Sequence, residues 1–154
     1  MTNNDLLRRI RYAFDYNDST MMKIFELAEY SATRAEISDW MKKEDNPDFK
    51  RLSDKYLAIF LNGMINHYRG KREGPQPKPE NELNNNLIFR KLKIALNLRD
   101  TDIVDILDLA ELRVSTHEIN AFFRKPTQRQ YRECQDQILR NFIYGLQIKY
   151  REGE

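Results

Sequence analysis

Slid against itself by 82 positions, the sequence meets its own copy: residues 3–70 align with 85–152 without a gap and are identical at 18 of 68 positions. Chance at ordinary composition would give about four. The identities are Asn3, Asn4, Arg8, Ala13, Asp18, Ile24, Leu27, Ala28, Glu29, Glu36, Ile37, Lys43, Asp54, Leu57, Phe60, Gly63, Tyr68 and Arg69, each with its partner 82 residues later. Whatever one copy folds into, the other must fold into as well. The chain therefore divides into a first repeat (1–70), a linker (71–83) and a second repeat (84–154).

Hydrophobic periodicity predicts four helices in each copy. The first, with Asn4 or Asn86 as its expected N-cap, carries Leu6, Leu7, Ile10, Ala13 and Phe14, or Ile88, Phe89, Leu92, Ala95 and Leu96, on one face. The second is expected to start after Asp18 or Asp100, whose carboxylate can accept from the free N–H groups of the first turn. Thr33-x-x-Glu36 and Ser115-x-x-Glu118 read as capping boxes opening the third. The fourth, over 53–69 and 132–151, is the longest and most apolar. Gly63 and Gly145 fall inside it, and glycine at a helix interior implies close approach of another backbone. The two fourth helices are expected to lie near each other about a pseudo-twofold axis. The fold class is all-α: two tandem four-helix repeats, offset by 82, packed with pseudo-twofold symmetry. The sequence leaves open whether the repeats pack within one chain or exchange between two.

Composition supports a packed core. Hydrophobic residues make up 40% of the 154 and only five glycines and five prolines occur, three of the prolines within 75–79 of the linker. The longest apolar run, Tyr56 to Leu61, is far short of the ~20 residues needed to cross a bilayer. A lone cysteine, Cys134, has no internal disulfide partner, and Met1-Thr-Asn-Asn-Asp5 has neither the basic nor the apolar segment of a signal peptide. A cytoplasmic setting is expected. Net charge is +2, with 11 basic and 11 acidic residues in 1–70 and 12 against 10 in 84–154, so no overall field draws the chain to nucleic acid.

Catalysis needs a nucleophile with its base, a metal constellation or a phosphate cradle, and none is legible. His67 aligns with Lys149 and His117 with Ala35, so neither histidine belongs to the repeated design. Cys134 aligns with Leu52 and reads as a small buried hydrophobe. The duplicated acids have structural readings: Asp18, Asp100, Glu36 and Glu118 as caps, Asp54 and Asp136 as dipole partners or bridges at the start of the fourth helix, Glu29 and Glu111 as members of ion pairs. No enzyme, cofactor, metal or small-molecule substrate is expected.

The basic clusters carry more. Arg8, Arg9 and Arg11 recur as Arg90, Lys91 and Lys93 opposite the apolar stripe, and Arg124, Lys125, Arg129, Arg132 and Arg140 surround the entry to the last helix. Such patches can contact phosphates, or can be a solvated face balanced by acids. The second and third helices resemble a degenerate helix-turn-helix, although Thr33-Arg-Ala-Glu-Ile-Ser-Asp-Trp40 is not basic at its start. Trp40 and Phe122 occupy equivalent places at the end of the third helix, as core residues or as twin apolar patches for a partner. The candidate binding surface is thus Arg8, Arg9, Arg11, Arg90, Lys91, Lys93, Trp40 and Phe122. The expected role is a non-enzymatic binding or adaptor module engaging a protein partner or a second copy. The alternative is a nucleic-acid-binding regulator.

The doubled Asn-Asn start, Asn62-Gly-Met-Ile65, Tyr68-Arg-Gly70, and Asn84-Asn-Asn-Leu87 after a proline-rich linker resemble the YehS-like bacterial proteins over the whole chain. That resemblance implies duplication and a bacterial cytosolic setting. It carries no catalytic residues.

Overall fold

A computed structural model describes residues 1–153. It contains eight α-helices and, among the described residues, no strand: α1 (Asn3–Phe14), α2 (Asp18–Leu27), α3 (Arg34–Met41), α4 (Asp54–Arg69), α5 (Asn85–Ala95), α6 (Asp100–Leu109), α7 (Thr116–Phe122) and α8 (Asp136–Gln147), the last continued by a π-helical turn, Ile148–Glu152. Each helix of the first repeat has its counterpart about 82 residues later. The predicted two-times-four architecture is the one observed.

The capping boxes form as read, Glu36 and Glu118 each accepting from the backbone N–H of Thr33 and Ser115 at 3.1 Å. Other starts differ by a residue or two. Thr2 and Asn84, not Asn4 and Asn86, cap α1 and α5. Asn17 caps α2, and Asp102 accepts from the Arg99 N–H at 2.8 Å to close the start of α6. Asp18 and Asp100 sit one position inside their helices, where their carboxylates are taken by Arg11 at 2.7 Å and Lys93 at 2.9 Å. The last helix begins at Asp136, four residues later than predicted. The chain before it is held extended by Asn86, which donates to the carbonyls of Phe122 and Arg132 and accepts from the Cys134 N–H.

That asparagine is a duplicated device. Asn4 donates to the carbonyls of Trp40 (2.9 Å) and Lys50 (2.8 Å) and accepts from the Leu52 N–H (2.9 Å), almost completely buried. One amide thereby satisfies three backbone groups, one at the end of α3 and two in the segment leading into the fourth helix, and leaving such groups unpaired would cost about 1–3 kcal/mol each.

The glycine reading holds. A Cβ at Gly63 would lie 1.9 Å from the carbonyl oxygen of Ile24, and one at Gly145 would lie 2.1 Å from that of Ile106. The second helix of each repeat therefore crosses the fourth backbone to backbone. The fourth helices are not each other's main neighbours, however. Beyond those crossings, α4 packs chiefly on α5 and α8 on α1: the last long helix of each repeat lies against the first helix of the other. Their ends both reach Phe14, whose ring centroid is 6.1 Å from that of Tyr68 and 5.2 Å from that of Tyr150. The result is one core running through both repeats, in which each buried Leu, Ile or Phe contributes about 1.5–3 kcal/mol. The linker closes one flank: Gln76, Pro77 and Pro79 lie over Ile59, Asn62 and Ile65 of α4.

Candidate functional site: two clefts related by the duplication

Where the first helix of one repeat meets the end of the fourth helix of the other, the surface opens into a cleft, and the duplication makes two. One, of about 620 Å³, is lined by Arg8, Arg11, Tyr12, Asp15, Met41 and Arg151 among others. The second, of about 460 Å³, is lined by Arg69, Arg90, Lys93, Ile94, Asn97, Leu98 and Phe123. The linings correspond under the offset of 82: Arg8 with Arg90, Arg11 with Lys93, Met41 with Phe123, and Arg151 with Arg69. Three cations, two from one repeat and one from the other, converge in each.

In the first cleft every cation holds a carboxylate. Arg8 meets Asp5 at 2.8 Å, Arg11 meets Asp18 at 2.7 Å, and Arg151 meets Asp15 at 3.1 Å while lying 3.9 Å over the Tyr12 ring. In the second, only Lys93 keeps its acid, Asp100, at 2.9 Å, with its ammonium 4.3 Å from the centroid of Phe123. Leu87 replaces Asp5 and Asn97 replaces Asp15. Arg90 donates only to the Phe123 carbonyl. Arg69 is exposed, and among the described residues no carboxylate lies within ion-pair reach of it.

Several expected surface residues lie elsewhere. Trp40 is buried, its ring 5.4 Å from Phe25 and 5.6 Å from Tyr56, because α3 turns its last turn into the core. Phe122 is half-buried, 6.0 Å from Phe89, so the two do not form twin exposed patches. Lys91 is buried as well. Packing of α4 and the linker onto α5 encloses its ammonium, which donates to Asn62 Oδ1 at 2.6 Å and stands 3.0 Å from Glu80 Oε1 in ion-pair rather than hydrogen-bond geometry. Arg9 is exposed, 4.0 Å from Asp5. Arg69 and Arg151, which complete the clefts, were absent from the sequence-derived surface, although both stand among the duplicated identities. In the helix-turn-helix comparison, α3 turns Arg34, Ala35 and Ser38 outward and α7 turns Thr116, His117 and Asn120 outward. One guanidinium among six side chains gives base readout no electrostatic support.

The duplicated aspartates at the start of the fourth helices are each tied to two groups. Asp54 accepts from Asn3 Nδ2 at 2.7 Å and from the backbone N–H of Leu83 at 2.9 Å. Asp136 accepts from Asn85 Nδ2 at 2.7 Å and from the amino group of Met1 at 3.0 Å. Each carboxylate thus binds the first helix of its own repeat and the residue that leads into the other. The Asn85 amide, then the amino group, holds Asp136 below the usual carboxylate range. Asp54 and Asp136 line separate clefts rather than converging. Glu29 lies 3.6 Å from Lys71, whereas Glu111 has no ion-pair partner among the described residues. What the two share is backbone: φ is 64° at Glu29 and 60° at Glu111, the left-handed turn that ends the second helix. Cys134 is buried, its thiol pushed up to about 12 by desolvation and by the Asp136 charge.

The architecture defines a class: a duplicated helical protein whose copies share one core. The chain belongs to the family described as "Protein of unknown function (DUF1456)", whose model matches residues 3–70 and again 85–152. It is 43% identical over 147 residues to the "Uncharacterized protein YehS" of Escherichia coli (strain K12), covering 95% of this chain and 94% of that protein. No solved structure matches it.

Proposed function

We propose that this protein is a non-enzymatic binding module whose working face is the basic side of the second repeat, and that its partner is an acidic segment of another protein. The observation that carries this reading is a loss of carboxylates along α5 and the turn that ends it, and from α7 through the loop to α8. Asp5, Asp15, Asp39, Glu44, Asp45 and Asp48 of the first repeat correspond to Leu87, Asn97, Ala121, Pro126, Thr127 and Gln130 of the second, against one acid gained in the same segments, Glu133 for Arg51; the other acids gained, Asp102, Asp105 and Glu152, lie on α6 and in the π-helical turn. The loop between α7 and α8 is left with Arg124, Lys125, Arg129 and Arg132, none within 4.0 Å of a carboxylate among the described residues. In the first repeat, Lys42 at the matching turn is held by Asp39 at 2.7 Å.

Aliphatic surface beside the charge favours protein over nucleic acid. Ile94 is 46% exposed in the cleft next to this loop, and an acidic peptide with apolar residues complements both features where a sugar-phosphate backbone meets only one. A cytoplasmic setting fits the buried, unpaired thiol.

Fluorescence anisotropy tests the reading, with a labelled peptide of alternating Glu and Leu blocks and a mixed-sequence DNA duplex, at about 50 and 200 mM salt. Saturable peptide binding that weakens with salt and is lost in the Arg124→Glu/Arg129→Glu/Arg132→Glu variant is the expected result. Tighter binding to the duplex than to the peptide transfers the face to nucleic acid, and binding to neither refutes it.

A further inference from the structure

We infer that the cleft between Arg69, Arg90 and Lys93 is an oxyanion site: it receives a doubly negative group, the phosphate of a phosphorylated side chain or paired carboxylates, borne by the partner. This rests on the binding-module reading above and names the contact at its centre.

The argument is an internal comparison. The duplication placed the same three-cation cleft on the molecule twice, with the same helices and equivalent lining. In one copy the protein supplies the anions itself: Asp5, Asp15 and Asp18 each sit within 3.1 Å of a guanidinium. These carboxylates mark where oxyanions are held in this geometry. In the other copy two of the three are gone while all three cations remain. Like charges gathered in a cleft without counter-charges repel, so retaining them is unfavourable to folding and suits a ligand that brings the missing charge. Three cations against one carboxylate leave room for two negative charges, those of a phosphate monoester or two carboxylates. Guanidinium suits both, because its planar fork matches either oxyanion with paired N–H donors.

The rest of the lining fits a ligand with a body as well as a charge. Ile94, Leu98 and Phe123 form an apolar wall. Their counterparts in the neutralised cleft are Tyr12, Tyr16 and Met41, and there Arg151 closes over the Tyr12 ring. Position 94 offers Arg69 no ring to stack on, which keeps its guanidinium available. The anion is also held by both repeats at once, Arg90 and Lys93 coming from α5 and Arg69 from the end of α4.

The experiment uses the full chain labelled with ¹⁵N, following backbone amides and arginine Nε–Hε signals during titration with phenyl phosphate and, in parallel, phthalate. The expected result is saturable shifts of Arg69, Arg90 and the Leu98 amide, with Arg8, Arg11 and Arg151 unmoved. The ligand giving the tighter curve identifies phosphate or carboxylate as the source. Restoring the missing acids in Leu87→Asp/Asn97→Asp should weaken binding about tenfold or more, and removing them from the other cleft in Asp5→Leu/Asp15→Asn should make Arg8 and Arg151 respond. Equal response of both clefts in the natural chain, no response in either, or indifference to these exchanges overturns the site. Peptide binding without phenyl phosphate or phthalate binding would remove the oxyanion site and leave the basic face standing. Small-anion binding without peptide binding would do the reverse.

Discussion

The two repeats are alike in backbone and unlike in charge, and the contrast separates what the fold requires from what has been free to change. Both copies keep the glycine at the α2/α4 or α6/α8 crossing, the asparagine that pins the approach to the fourth helix, and the aspartate that binds its opening to the other copy's start. Even core rings obey a common volume. Phe60 and Phe142 are shared, while the second large ring sits at Phe25 in one copy, 5.1 Å away, and at Phe89 in the other, 4.6 Å away, with leucine at each vacated place. An exchange of that kind keeps total packing nearly constant. The acids obey no such rule: they remain where they hold the backbone and disappear along one face.

The likeness predicts equal damage from equal lesions. Gly63→Ala and Gly145→Ala should each cost about 3 kcal/mol or more, because the added methyl overlaps a carbonyl oxygen on another helix rather than a flexible side chain. Urea unfolding followed by far-UV circular dichroism measures both, and a cost below about 1 kcal/mol in either copy would break the equivalence. Asn4→Ala should follow at roughly 2–3 kcal/mol, and Asn86→Ala somewhat less, since Asn86 is 9% exposed against 1% for Asn4 and water can reach the stranded groups. Trp40, packed against the core of the first repeat, should lose its buried emission together with the circular dichroism signal in both variants; two separate transitions would show that the shared core does not couple the copies. The smallest effect is expected at the left-handed turns. Glu29→Gly and Glu111→Gly relieve a conformation that costs a side-chain-bearing residue about 1–2 kcal/mol, partly offset by the greater freedom of glycine in the unfolded chain. A net gain of up to about 1 kcal/mol should appear in both thermal melts.

Helix number, helix type and the buried faces were legible because 3.6-residue spacing is written locally, as were the capping boxes and the glycine crossings. Partnership was not legible. An apolar face states that it will be covered, not by which neighbour, so pairing α4 with α8 instead of α5 contradicted no residue. Asn4 was misread because asparagine near a helix start ordinarily serves as a cap, and its role depends on Trp40, Lys50 and Leu52, far along the chain. Lys91 looked like one more exposed cation because only the folded linker and α4 enclose it. In the candidate cleft Arg90 and Lys93 could be read from the sequence as half of a set. Arg69 could not, since it arrives from the opposite copy.

The crossing of first and fourth helices between copies has a consequence for the smallest piece that can fold. One copy cut free would present the face of its fourth helix with nothing to cover it, and could satisfy that face only by meeting a second chain. Its folding would then depend on concentration, as in an obligate dimer. The thirteen residues from Lys71 to Leu83 hold the second copy at an effective concentration on the order of millimolar, so the pairing survives any dilution.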